Sequence, residues 1–535
     1  MVALCVQPYI LTGLYGQIRI WGMSQRFFCR DKLVGEKAIV VYFVITKLII
    51  CLFPFEYGYF RDELYYIALS DNLDFGYVDV PPLVPLLLAI VRSVLGTSFF
   101  SLHLLPAISG ALVVWLVSRM VKQLGGGFNA MLLALTCVTL APIYLAWEST
   151  YSYDVFDKLN WTLMLYVMVL ILKTDGRKYW IYFGLVAGLA LMTKITILFV
   201  AFGLLSAMTM TKERRHFLNW QLWAGGGLAL LIFSPYAIWQ IKEGLPALEY
   251  YGSYASAKTW PSTPPEFIKN QVLTMNLLAF PVWLAGIYYF IFNESGRRYR
   301  AFGYGYFIVL IMCIVLKVKF FLPAPFYTVL FAGGAVSIES FAAKRNIRML
   351  KRAPAVAIFL MGLLQVPFAR PIVPIEPFVE YTGRSIWEGI KGERHNLGRL
   401  PQHFHDRFGW EELTEDVAIV YNTLSDEDKS KACVLMGNYG EAGAIWVYGQ
   451  QYGLPKPISG HLQYYFWGPR GHSGEVAISM GIDVESLKNH FGSVAKARTH
   501  WCRWAIPYEK LLDVYVCREP RKTLEEMWPS FKHLD

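Results

Sequence analysis

The 535 residues are 55% hydrophobic and 16% aromatic, and only 17% are charged, against about 25% in an ordinary soluble domain. That deficit excludes a purely soluble globular protein and points to lipid. The +10 net charge is also unevenly spread: residues 1–370 hold 32 Lys and Arg against 18 Asp and Glu, whereas 371–535 hold 18 against 22. Two different parts therefore share one polypeptide, and no nucleic-acid partner is expected.

Residues 1–36 mix polar and apolar residues without the apolar core and small-residue cleavage site of a signal peptide. They read as a leader, with Met23 as an alternative start to Met1. Apolar runs then recur near 38–55, 101–121, 128–147, 158–173, 179–193, 195–210, 218–240, 271–292, 302–318, 320–342 and 353–370. Several fall short of the roughly 20 residues needed to cross a bilayer upright. The expectation is a helical membrane bundle over 37–370 with about eleven transmembrane helices, the pair around Lys194 being one long tilted helix in the alternative.

Charge patterning orients this bundle. With a cytoplasmic N-terminus, the clusters Arg119/Lys122, Lys173/Arg177/Lys178, Lys212/Arg214/Arg215, Arg297/Arg298/Arg300 and Lys344/Arg345/Arg348/Lys351/Arg352 all fall inside, as the positive-inside rule requires. Connections 56–100, 148–157 and 241–270, which carry carboxylates such as Asp62, Asp154 and Glu249, fall outside. So does the C-terminal part, which follows the proline-rich join Pro367–Pro377.

Within that part, 410–423 is helical in pattern, 432–436 a strand, 437–440 a turn, 441–452 a helix, 476–480 a strand, 484–491 a helix and 511–517 a strand. Alternation of this kind suggests parallel strands covered by helices, hence a small α/β domain over 371–535. The glycine turn Gly437–Glu441 could cradle an anion at a helix N-terminus. His461, Tyr464, Tyr465 and Trp467 form an aromatic cluster that suits either sugar stacking or packing. The eight cysteines follow no metal spacing. Cys51, Cys137 and Cys313 are small hydrophobes in apolar runs; Cys502 and Cys517 are either free or a disulfide.

Three polar stretches carry candidate chemistry. The first outer loop contains Arg61-Asp62-Glu63-Leu64-Tyr65-Tyr66 and then Leu73-Asp74-Phe75-Gly76-Tyr77-Val78-Asp79-Val80-Pro81-Pro82-Leu83. Carboxylates at a bilayer rim are either solvated loop residues or functional. A second acidic site is Asp154 and Asp157, three apart and sharing a helix face, with N-terminal capping as the alternative. In the third, Lys317 and Lys319 in an outer turn oppose the positive-inside trend. They suggest an anionic partner such as phosphate, with snorkelling as the alternative; Lys194 invites the same two readings.

The segment Arg61–Leu83, together with Tyr153–Trp161, Gly184–Lys194 and Lys319–Ala335, resembles glycosyltransferase family 39 of the GT-C superfamily. That family includes the dolichyl-phosphate-mannose protein mannosyltransferases and the lipid A aminoarabinose transferases. The C-terminal part is similar to the extracytoplasmic tail of bacterial members. The resemblance implies a glycosyltransferase that moves a hexose or pentose from a polyprenyl-phosphate carrier, with inversion, to a hydroxyl on a lipid, glycan or protein. The expected place of action is the outer face of a bacterial inner membrane, in the cell envelope.

On this reading Asp62 is the general base, Glu63 is second choice or its orienting partner, and Asp157 with Asp154 forms the second acidic position. Lys319 holds the departing phosphate with help from Arg61, and Tyr65, Asp79, Lys194 and Tyr327 complete the substrate-binding set. Some members carry Lys or His just before the paired prolines, where this chain has Val80, so another residue must meet the phosphate. No cofactor is required; clustered carboxylates with phosphate would suit Mg²⁺ or Mn²⁺, and that is left open. The rival classes are a ligase using a diphosphate-linked glycan and a transporter or flippase of lipid-linked sugars.

Overall fold

The computed structural model describes residues 35–53, 57–257, 262–382 and 400–534; apart from its last two residues, the 1–36 leader lies outside them. The first part runs through α1 (35–52), α2 (Arg61–Asp71), α3 (Leu83–Leu95), α4 (Phe99–Gln123), α5 (Phe128–Thr139), α6 (Pro142–Trp147), α7 (Tyr153–Thr174) and α8 (Tyr179–Leu191). It continues through α9 (Ile197–Thr209), α10 (Trp220–Lys242), α11 (Pro246–Ala257), α12 (Pro264–Thr274), α13 (Phe280–Ile291), α14 (Arg300–Val315), α15 (Tyr327–Lys344) and α16 (Ala353–Ala369).

All eleven apolar stretches are helical, but among the described residues only five uninterrupted helices are long and apolar enough to cross a membrane. These are α4, α7, α10, and α14 and α15 with their short 3₁₀ lead-ins. A sixth arises if α12 and α13 form one broken span, which bends by 101°. The bend sits at Asn276, whose φ of 74° suits an Asn side chain better than a branched one. Its amide holds the break by donating to the Ile358 carbonyl at 3.2 Å. The 128–147 stretch is two helices, interrupted where Pro142 starts α6. Residues 179–210 are likewise two helices, α8 and α9, parted at Lys194. Eleven spans thus become five or six by length, with shorter apolar helices beside them. Leu230, Leu231, Ile241, Leu360 and Leu364 are more than half exposed; such side chains on the outward faces of α10 and α16 belong against lipid. The chain is an integral membrane protein.

A buried ionic knot ties this bundle. Lys47 Nζ on α1 lies 2.5 Å from Glu148 Oε2, and Lys158 Nζ on α7 meets Oε1 of the same carboxylate. Arg370, just past α16, donates to the carbonyls of Glu148 and Cys51 at 3.2 Å each.

The second part contains α17 (Ile375–Thr382), α18 (Gln402–His405), α19 (Trp410–Asn422), α20 (Asp426–Lys431), β1 (Ala432–Met436), α21 (Tyr439–Tyr448), β2 (Ile458–Ser459), α22 (Gln463–Trp467), β3 (Val476–Met480), α23 (Val484–His490), β4 (Phe491–Trp501), β5 (Leu511–Pro520) and α24 (Leu524–Met527). The strands form one sheet in the order β2-β1-β3-β5-β4. β1 pairs in parallel with β2 and β3, whereas β5 pairs antiparallel with β3 and β4, so the all-parallel expectation gives way to a mixed sheet. β4 is absent from the sequence reading because it is an edge strand, exposed along most of its length and carrying Lys496 and Arg498. Charges of that kind blunt a sheet edge and erase the apolar signal. Cys502 and Cys517 are both free.

Besides a core of its own, each part contributes to a shared one. Leu64, Tyr65, Ile67 and Leu69 of α2 and Val84 and Leu88 of α3 share one apolar cluster with Val417, Met436, Ala442, Ile445, Ile478 and Val516. The first outer loop is thus packed as much by the C-terminal sheet layer as by the bundle.

Candidate active site

A cavity of about 650 Å³ opens where the bundle, the first outer loop and the C-terminal part meet. Its apolar lining comes from Ile143, Trp147, Leu273, Phe320, Phe321, Met361, Leu364 and Phe368. Its polar lining includes Asp62, Asp79 and Asp154 with Arg61, Tyr65, Tyr66, Tyr439 and His461. Lys319 lines the cavity next to Phe320 and Phe321, at 5.7 Å from the Phe321 ring centroid.

Six of the ten residues singled out from the sequence therefore share this cavity: Arg61, Asp62, Tyr65, Asp79, Asp154 and Lys319. Asp62, in the first turn of α2, is half-buried, and its Oδ1 accepts from the Tyr439 hydroxyl at 2.8 Å. The Tyr65 hydroxyl donates to Asp79 Oδ1 at 2.9 Å and accepts from Gln463 N at 3.2 Å. Arg61 is buried and committed to the C-terminal part: its Nη2 lies 3.2 Å from Asp406 Oδ2 and its Nη1 donates to the Tyr508 hydroxyl.

The other four lie elsewhere, and their roles change. Successive helical residues point about 100° apart, so with Asp62 at the cavity Glu63 turns inward. It is fully buried, accepting from Phe60 N at 2.8 Å, Tyr151 N at 2.8 Å and His103 Nε2 at 2.9 Å. Burial pushes this carboxyl up, but His103, Arg407 and the Phe60 N–H together outweigh it and hold it below the ordinary range. A depressed acid contributes stability that is complete above its unfolded value of about 4.3 and is lost on acidification below that. Glu63→Gln should accordingly lower the unfolding free energy at neutral pH and flatten its acid dependence, while turnover per folded molecule survives. Loss of turnover in a fully folded variant would return Glu63 to the chemistry.

Asp157 is buried below Asp154, its Oδ2 accepting from the Thr196 hydroxyl at 2.7 Å. Lys194 Nζ sits 2.5 Å from Asp154 Oδ1 and 4.2 Å from the Tyr153 ring centroid, so it neutralises an acid instead of reaching the cavity. Tyr327 is buried in the bundle against the Tyr306 hydroxyl at 2.8 Å.

Sequence reasoning named His461 only as part of an aromatic cluster and missed the other C-terminal contributors, Tyr439, Leu462, Gln402 and His403. His403, between the Phe368 carbonyl and Arg407, is driven by burial and by Arg407 to a pKa of about 4. It is a neutral ring at physiological pH and no anchor for an anion. The Gly437–Glu441 turn is not an open anion cradle either, because Glu441 Oε2 already accepts from Gly437 N at 2.8 Å and Asn438 N at 3.2 Å. Of the aromatic cluster, Tyr464 packs on Trp467 and Tyr465 on Trp528, leaving His461 at the cavity wall.

Three cavity acids invite a divalent cation. Among the described residues, however, the one trio with donor atoms within 4.8 Å of one another is Asp175, Glu213 and His216. There His216 Nδ1 accepts from Trp180 Nε1, and Nε2 faces Glu213 at 3.2 Å and Asp175 at 3.5 Å. Arg215 and Arg298 also pair with Asp175. That trio is an ion cluster already satisfied by hydrogen bonds.

Comparison with known proteins agrees with the resemblance read from the sequence. Residues 79–239 match the dolichyl-phosphate-mannose-protein mannosyltransferase family, and no curated protein sequence matches the chain. Among solved structures, ArnT from Cupriavidus metallidurans bound to undecaprenyl phosphate superposes with a TM-score of 0.56 at 12% identity, covering 89% of this chain and 98% of that one. Its apo state gives 0.54 at 12% identity with the same coverage. The likeness is one of fold.

Proposed function

We propose that this chain, matched over 79–239 to the protein mannosyltransferase family and folded like ArnT, is an inverting glycosyltransferase. It takes a sugar from a polyprenyl-phosphate carrier and passes it to a hydroxyl acceptor. The observation that carries this reading is one cavity lined both by apolar side chains of the helical bundle and by Asp62, Asp79 and Asp154. Such a cavity fits an amphiphile whose prenyl tail and sugar phosphate need opposite surroundings.

Asp62 accepts the proton of the acceptor hydroxyl as its oxygen attacks the anomeric carbon. The bond from that carbon to the phosphate oxygen breaks on the opposite face, and polyprenyl phosphate departs with the electron pair. Lys319, beside the apolar lining, meets the negative charge that develops there, where a fixed cation is most effective. Asp79, set by Tyr65, and Asp154, set by Lys194, bind sugar hydroxyls. The distribution of basic loops supports an extracytoplasmic site, and a bacterial inner membrane suits a chain of this kind. The C-terminal part covers the acceptor.

The test supplies purified protein in lipid nanodiscs with undecaprenyl-monophosphate-linked and undecaprenyl-diphosphate-linked sugars. Release of undecaprenyl phosphate from a monophosphate donor supports the reading; turnover of diphosphate donors alone makes the protein a ligase and removes it. Lys319→Met should lower turnover by about 10²-fold, the scale of losing one fixed donor to developing charge, with no change in melting temperature.

A further inference from the structure

Helix α21 is built to reach the start of α2. Asn438 caps it, its Oδ1 accepting from Gly440 N at 2.8 Å and Glu441 N at 3.1 Å, while Glu441 returns to the backbone of Gly437 and Asn438. This reciprocal cap fixes where the first turn begins. Gly440 and Gly443, three apart and so on one face, then meet α2 without side chains. A Cβ at Gly440 would lie 2.6 Å from Arg61 Cγ and Cδ, and one at Gly443 would lie 2.9 Å from Leu64 Cβ. The approach is closer than an alanine permits.

Arg61 closes the same contact. Its N–H donates to the Asp406 carbonyl at 2.8 Å, and its guanidinium lies 5.3 Å from the Tyr439 ring centroid. The outcome of this docking is the hydrogen bond from the Tyr439 hydroxyl to Asp62 Oδ1.

We propose that Tyr439, from the C-terminal part, is the positioning residue for Asp62: its hydroxyl holds one carboxylate oxygen and leaves the other for the acceptor. The inference rests on Asp62 being the base. Burial, opposed by Arg61 and reinforced by Asp62, keeps the Tyr439 hydroxyl well above the ordinary tyrosine range, so it remains a donor. Arg61 of α2 faces this carboxylate, and Asp79, from the loop before α3, and Asp154, from α7, act on the Tyr66 hydroxyl as Asp62 does. Lys319, His403 and His461 line the same cavity. Of these groups, Tyr439 is the one seen to hydrogen-bond the carboxylate.

A donated hydrogen bond fixes which carboxylate oxygen is left for the acceptor, so its removal costs turnover and not donor binding. In the full-length protein, with the undecaprenyl-monophosphate-linked donor, Tyr439→Phe should lower kcat about ten-fold, the scale of one hydrogen bond to a charged group, with the donor KM and the melting temperature unchanged. Should that variant not accumulate, Gly440→Ala, which pushes α21 off Arg61 but keeps the hydroxyl, carries the same test with the same expected fall in kcat. A wild-type kcat alongside an inactive Asp62→Asn overturns the role of Tyr439 and leaves the base reading intact; an active Asp62→Asn removes the base reading itself.

Discussion

Asp62→Asn is expected to lower turnover by about 10²–10⁴-fold, the usual yield of a positioned general base, while undecaprenyl phosphate still binds. Asn keeps the size of the side chain and can still meet the Tyr439 hydroxyl through its carbonyl oxygen, so the α2–α21 contact persists. What it loses is the ability to take a proton. The neighbouring acids do not substitute: Glu63 is enclosed by Phe60 N, Tyr151 N and His103, and Asp154 is paired with Lys194. Measured by product release and by lipid binding on the same sample, wild-type turnover in this variant would reject the assignment. Deletion of 376–535 is a poorer experiment. The outer-loop helices share their apolar core with that segment, and its loss would strip the packing from α2.

Glu148→Gln is expected to produce the largest loss of stability, about 3–5 kcal/mol, as when a buried ion pair loses one partner. Lys47 and Lys158 are both wholly buried and both lean on this one carboxylate. The amide keeps the shape but leaves two buried ammonium groups without it. Adding Lys158→Met should recover part of the loss, since the double variant removes one of the stranded charges. Melting of the protein in detergent micelles reads both effects; a single variant as stable as wild type would mean that water or lipid already compensates these lysines. Because Arg370 bonds the Glu148 backbone, and Ala369 and Thr150 line the cavity nearby, the knot also holds part of the cavity lining in place.

Local pattern determined a good deal of this protein. Every apolar stretch read between 38 and 370 is helical, and β1, β3, α19 and α23 fall within a residue of their expected limits, because hydrophobic period is a property of the chain over a few turns. Arg61, Asp62, Tyr65, Asp79 and Lys319, which line the cavity, were legible as candidates because polar groups at a membrane rim need a reason to be there.

The sequence ranked Asp62 above Glu63 and Asp157 above Asp154, whereas the cavity is lined by Asp62 and Asp154. Asp62 and Glu63 are neighbours in the chain, and Asp154 and Asp157 are neighbours on a helix face. Only the docking of α2 against α21, and of α7 against the Lys194 turn, turns Asp62 and Asp154 toward the cavity and closes Glu63 and Asp157 behind it. Tyr439, His403 and His461 arrive from more than 300 residues further along, on elements whose local pattern speaks only of their own burial. Periodicity reports which face of an element is apolar, whereas the partner that meets the face is set by long-range packing, and there the composition of this cavity was decided.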